Sequence, residues 1–110
     1  MQTMDHNEAR ERLIETGRLI DVEILLLDLR NLLKKPKYKS LRIQNCKVRQ
    51  SILMDDVRID GSLSLDSVDI GENFSLRNAV IGDLFLFNVQ VNGVMDLSLQ
   101  SRPQSIVVSP

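Results

Sequence analysis

The chain has 110 residues, 43% hydrophobic and 26% charged, with fourteen Lys and Arg against fifteen Asp and Glu and a formal net charge of -1. That length suits one domain, and the near-balanced charge excludes a globally basic nucleic-acid binder. A single Cys excludes an internal disulfide scaffold.

The first forty residues read as a helical cap followed by a basic linker. The stretch from Asp5 to Lys35 is rich in Leu, Glu and Arg, which favour helix, and its acids lie early while Lys34 and Lys35 lie late, as the helix dipole prefers. Asp5 can cap it, with Glu8 as reciprocal partner. Val22, Leu25, Leu26, Leu29 and Leu33 share one helical face, Ile20, Ile24 and Leu27 add a second apolar stripe, Gly17 kinks or interrupts the helix, and Pro36 ends it. The competing parse is strand: Val22/Ile24 and Leu27/Leu29 are apolar pairs separated by one residue. Helix is favoured because Leu dominates where a strand would carry Val and Ile. The longest aliphatic run, Ile24 to Leu27, falls far short of the roughly 20 residues that span a bilayer. The N-terminus has no apolar signal run, so the expected compartment is the cytoplasm.

Between Lys34 and Arg49 lie seven bases (Lys34, Lys35, Lys37, Lys39, Arg42, Lys47 and Arg49), no acid, and the single Tyr38. They form a candidate polyanion contact, set against a plain solvated linker. Between Asp55 and Asp96 the balance reverses, with eight acids against Arg58 and Arg77.

From Leu41 onward apolar residues come in pairs separated by one residue: Leu41/Ile43, Cys46/Val48, Ile52/Met54, Val57/Ile59, Leu63/Leu65, Val68/Ile70, Phe74/Leu76 and Ala79/Ile81. The first members step alternately by five and six, so an eleven-residue unit recurs, with a two-residue and a three-residue corner. The series continues through Leu84/Leu86, Val89/Val91 and Met95/Leu97, with one residue lost near Leu84, where Phe85/Phe87 is the competing register. Each pair is a minimal strand, too short to stand alone, and stacking on an identical strand one coil later would pair its backbone. That predicts a mainly β chain: a short parallel β-helix of about two and a half coils over residues 41–99, with an N-terminal capping helix. Two units make a coil, so Leu41 should stack under Leu63, Cys46 under Val68, Ile52 under Phe74 and Val57 under Ala79. Antiparallel hairpins turning at Asp60-Gly61 and Asn92-Gly93 are the alternative. Four of the five glycines lie in the wider corners, and Asn45, Asp56, Ser67, Asn78 and Asn88 fill the narrow ones. Both sets suit turns that tolerate positive φ. Residues 100–110 read as a loose tail in which Ile106-Val107-Val108 could pair along an edge.

Candidate chemistry is sparse. His6 is the only histidine and reads as surface. Cys46 is an inward, buried small residue, and Asp55-Asp56 reads as a turn before it reads as a metal site. No catalytic, cofactor-binding or metal-binding set is expected.

The steps of five with paired inward residues resemble the pentapeptide-repeat family; Ala79-Val80-Ile81 and Cys46-Lys47-Val48 approximate its small-x-large pattern. VRIDGSLSL, residues 57–65, is similar to divergent bacterial repeats of the type apolar-x-apolar-x-Gly-x-Leu-x-Leu. Membership would imply a right-handed coil, dimers joined through coil ends and, in some members, DNA mimicry against topoisomerases. Ile81-Gly82-Asp83-Leu84 resembles bactofilins, which would imply a cytoskeletal polymer growing end to end.

The expected function is therefore a non-enzymatic interaction or assembly module, a homodimer first, with a further protein partner and no cofactor. Leu25, Leu29 and Leu33 are expected to close one end, and Val91, Met95 and Leu97 to form a self-complementary surface at the other. A structural polymer and a nucleic-acid-associated β-helix are the alternatives.

Overall fold

A computed structural model describes residues 1–30 and 37–110. The chain runs β1 (Gln2–Thr3), α1 (His6–Thr16), β2 (Arg18–Ile20), β3 (Val22–Ile24), β4 (Leu27–Asp28), β5 (Lys37–Tyr38), β6 (Leu41–Val48), β7 (Ile52–Leu53), β8 (Arg58–Ile70), β9 (Phe74–Ser75), β10 (Val80–Val91), β11 (Met95–Asp96) and β12 (Ser105–Ser109). The fold is thus mainly β, with one helix among the described residues. Among the described residues no helix is long and apolar enough to cross a membrane.

Among the described residues all the strand pairing is parallel, and the paired residues lie 20 to 25 positions apart, from Gln2 with Val22 to Leu27 with Ile52. Leu41 pairs with Leu63, Cys46 with Val68 and Ile52 with Phe74, as the 22-residue spacing predicts. One sheet orders its strands β1-β3-β6-β8-β10-β12, with β2 also on β6 and β5 on β8; a second orders them β11-β9-β7-β4. Parallel pairing removes the hairpin alternative, because hairpin strands are antiparallel.

The apolar pairs point inward. Leu41, Ile43, Leu63, Leu65, Leu84 and Leu86 are each at most 1% exposed, so Phe85 and Phe87 face outward and the register near Leu84 is settled. The lost residue has a position: the pairing shifts between Ile81 and Asp83, where the Gly82-Asp83 corner is one shorter than the Asp60-Gly61-Ser62 corner beside it.

The two kinds of corner have different physical reasons. Asn45, Asp56, Ser67, Asn78 and Asn88 all take φ between 50° and 65°, and Asp21, at 59°, adds a sixth member. This left-handed conformation is one that Asn and Asp tolerate best among residues with a Cβ. Stacked members bond side chain to side chain, Asn45 Nδ2 to Asp21 Oδ1 at 2.7 Å and Asn78 Nδ2 to Asp56 Oδ1 at 2.6 Å. The wide-corner glycines do not share that backbone: only Gly17 has positive φ. They are needed for close approach instead. A Cβ on Gly82 would lie 2.5 Å from the Gly61 carbonyl oxygen and 2.6 Å from that of Asp60.

The expected helix across residues 5–35 is corrected, over the described residues 5–30, to α1. Asp5 accepts from the Glu8 amide at 2.8 Å as the N-cap, and Gly17, at φ 72°, ends the helix with its N–H on the Leu13 carbonyl. Beyond it the strand parse holds. Leu19, Val22, Ile24, Leu27 and Leu29 are buried in alternation, and β2 and β3 lie on β6 while β4 lies on β7. Pairing and burial of each inward side chain outweigh the few tenths of a kcal/mol per residue by which Leu and Glu prefer helix. Strands on both sides of residue 40 therefore share one sheet, and residues 105–109, read as tail, form β12 along β10.

Candidate functional site

The two ends of the strand stack differ. At the N-terminal end α1 packs against β2 and β4, burying Ala9 and Leu13 completely and Met4 to 3% exposure. His6 completes the closure. Its Nε2 lies 3.1 Å from the Asp28 amide nitrogen and 3.2 Å from the Asp28 carbonyl oxygen, occupying the outer edge of β4 where a further strand would pair. His6, read from sequence as a surface residue, is thus an edge cap.

The residues buried at this end include Met4, Ala9 and Leu13, where Leu25, Leu29 and Leu33 were expected. Leu25 is 57% exposed at the corner between β3 and β4, Leu29 is buried in the core, and Leu33 lies outside the described residues.

At the opposite end β12 and β11 are the outermost strands of their sheets. Val91 and Leu97 are half-buried against the core, while Met95, Val94, Ile106 and Val108 are exposed. Ile106 and Val108 stack on the inward Leu84 and Leu86, so they continue the core into solvent. From Asn88 to Pro110 the only charged residues are Asp96 and Arg102. Natural sheet edges are usually blunted with charge, and this one is not.

The basic run divides between faces. Lys47 stands between Glu23 and Asp69 on neighbouring strands, and Arg49 Nε donates to Glu23 Oε2 at 2.7 Å. That hydrogen bond holds the Glu23 carboxyl below its usual range. Lys37 sits beside Arg58, and Tyr38 is buried, its hydroxyl pushed upward in pKa by that burial. Lys34 and Lys35 lie outside the described residues.

Lys39 and Arg42 instead join Arg18 in an open groove of about 640 Å³ across the outer face of the larger sheet. Thr16, Ser40, Ser62 and Ser64 supply hydroxyls there, and Phe85 and Phe87 form the far wall. Register explains the assembly: Arg18 pairs with Arg42, Arg42 with Ser64, and Ser64 with Phe85. The two rings are parallel within 6° at 6.3 Å between centroids. The helix-favouring composition around Arg18 hides it in the sequence; its match to Arg42, each followed by an inward aliphatic residue, is the available signal.

Cys46 is 2% exposed, its Sγ donates to the Leu19 and Gln44 carbonyls, and burial pushes its thiol pKa up, all of which disfavour a nucleophile. For Asp28, burial pushes the carboxyl pKa up, but the Arg30 hydrogen bonds outweigh it and lower the value. No group of three or more metal-ligating side chains occurs among the described residues. Comparison with family models, curated proteins and solved structures found no match.

Proposed function

We propose that the chain is a non-enzymatic assembly module of the cytoplasm, a short right-handed parallel β-helix that dimerises through its open C-terminal end. The strand offset of 20 to 25 residues supports the coil reading, since successive coils must stack at one period. The observation that carries the dimer is the contrast between ends: α1 and His6 close one, while Ile106, Val108, Val94 and Met95 stand exposed at the other.

An open-ended polymer of the bactofilin kind joins unlike ends, and the helix obstructs one of them. Joining like ends by a two-fold axis closes the assembly at two chains and would lay two copies of β12 side by side, antiparallel. The scarcity of charge after Asn88 fits an interface centre, where charged residues are depleted.

Light scattering over a wide concentration range tests this. The expected mass is fixed at twice the 12.5 kDa of the chain, and Ile106→Lys and Met95→Asp should each return it to the monomer without unfolding it. A wild-type monomer at high concentration, a mass that keeps growing, or dimeric variants would each overturn the proposal.

A further inference from the structure

The groove lies on the outer face of the larger sheet, its Phe85 paired with Val107 of the edge strand β12, and its composition is selective. It gathers Arg18, Lys39 and Arg42, with Asp66 beside Phe87 and Asp83 beside Ser62 at its rim, on a protein whose net charge is -1. The ion pairs of the described residues engage Arg12, Arg30, Arg49, Arg58 and Arg77, so none neutralises these three cations. The chain has three Phe; Phe74 is fully buried, and the other two stand half-buried on the outer face as a parallel pair. An outward aromatic pair across one strand from an unpaired arginine is the combination that a base and its phosphate require.

We propose that this groove binds a short segment of single-stranded nucleic acid. One or two bases stack on Phe85 and Phe87, and the sugar-phosphate chain crosses the Ser64 and Ser62 hydroxyls to reach Arg42, Arg18 and Lys39. Adjacent strands are about 4.8 Å apart, so Phe85 and Arg42, two strands apart, stand roughly 10 Å from each other at the backbone. Extended side chains and a flexible polymer bridge that distance. A duplex keeps its base faces stacked inside and leaves the rings unused. An acidic peptide satisfies the cations but likewise makes no use of a stacked ring pair.

The test is fluorescence anisotropy of the full chain with labelled dT12 and U12. Three phosphate contacts predict a slope of log affinity against log salt near -2. Arg18→Gln and Arg42→Gln, both on exposed side chains, should each reduce the slope by roughly 0.7. Phe85→Leu, which keeps an apolar side chain, should weaken binding by roughly 5- to 150-fold while leaving the slope unchanged. Binding of either oligonucleotide with this division of effects supports the proposal, and their ratio says whether DNA or RNA is preferred. No binding at low salt, wild-type affinity in Phe85→Leu, or equal competition by a duplex or a polyglutamate peptide would overturn it.

Discussion

At the scale of single residues, the corners carry two unlike constraints that look alike in sequence. Ser67 holds φ at 57° in a column where the stacked neighbours Asn45 and Asn88 are both Asn. A left-handed backbone costs an ordinary residue about 1–2 kcal/mol, much of which Asn recovers through local hydrogen bonding. Ser67→Asn should therefore stabilise the protein by about 0.5–1 kcal/mol, read as a higher urea midpoint. Gly82→Ala should do the opposite. Its methyl would press on two backbone carbonyls that cannot rotate away, costing about 1–3 kcal/mol by overpacking. Equal tolerance of both changes would mean that the wide corner relaxes freely.

At the scale of elements, the alternation of apolar pairs makes most of the strands after Leu41, their register near 22 residues and the narrow-corner column legible in the sequence. It failed where the period stretched. Arg18 to Ile20 pair 24 residues onward and Leu27 pairs 25 onward, so these strands fall out of step with the eleven-residue unit, and their Leu-rich composition favours helix locally. β12 was only half legible, since Ile106-Val107-Val108 is an apolar run without alternation and its partner was set by stacking. The groove was illegible for a related reason: Arg18, Arg42, Ser64 and Phe85 are brought into line by pairing across three strands.

The joint between α1 and β4 rests on His6, whose ring nitrogen meets an edge peptide that no strand of the described residues pairs. His6→Ala should cost about 0.5–1.5 kcal/mol, the usual worth of one hydrogen bond. It should also speed hydrogen exchange at the Asp28 amide more than at Leu27 and Leu29, whose N–H groups bond inward to Ser51 and Leu53. Unchanged exchange at Asp28 would show that the helix backbone, and not the imidazole, shields that edge.

At the scale of the whole molecule, closure at one end and exposure at the other give the stack a direction. Assembly at the open end and ligand capture on the face would then use separate surfaces, so variants of Met95 and Ile106 should leave oligonucleotide affinity intact and variants of Arg18 and Arg42 should leave the mass intact. The strand offset also bears on how the chain reaches this state. Each pairing closes a loop of some 22 residues in a chain of 110, a relative contact order of about 0.2, which belongs to domains that fold in milliseconds to seconds. Refolding by stopped-flow dilution from urea should fall in that window. A strand of two or three residues gains little until its parallel partner some 22 residues away is in place, so slow refolding is the expected cost of such pairing.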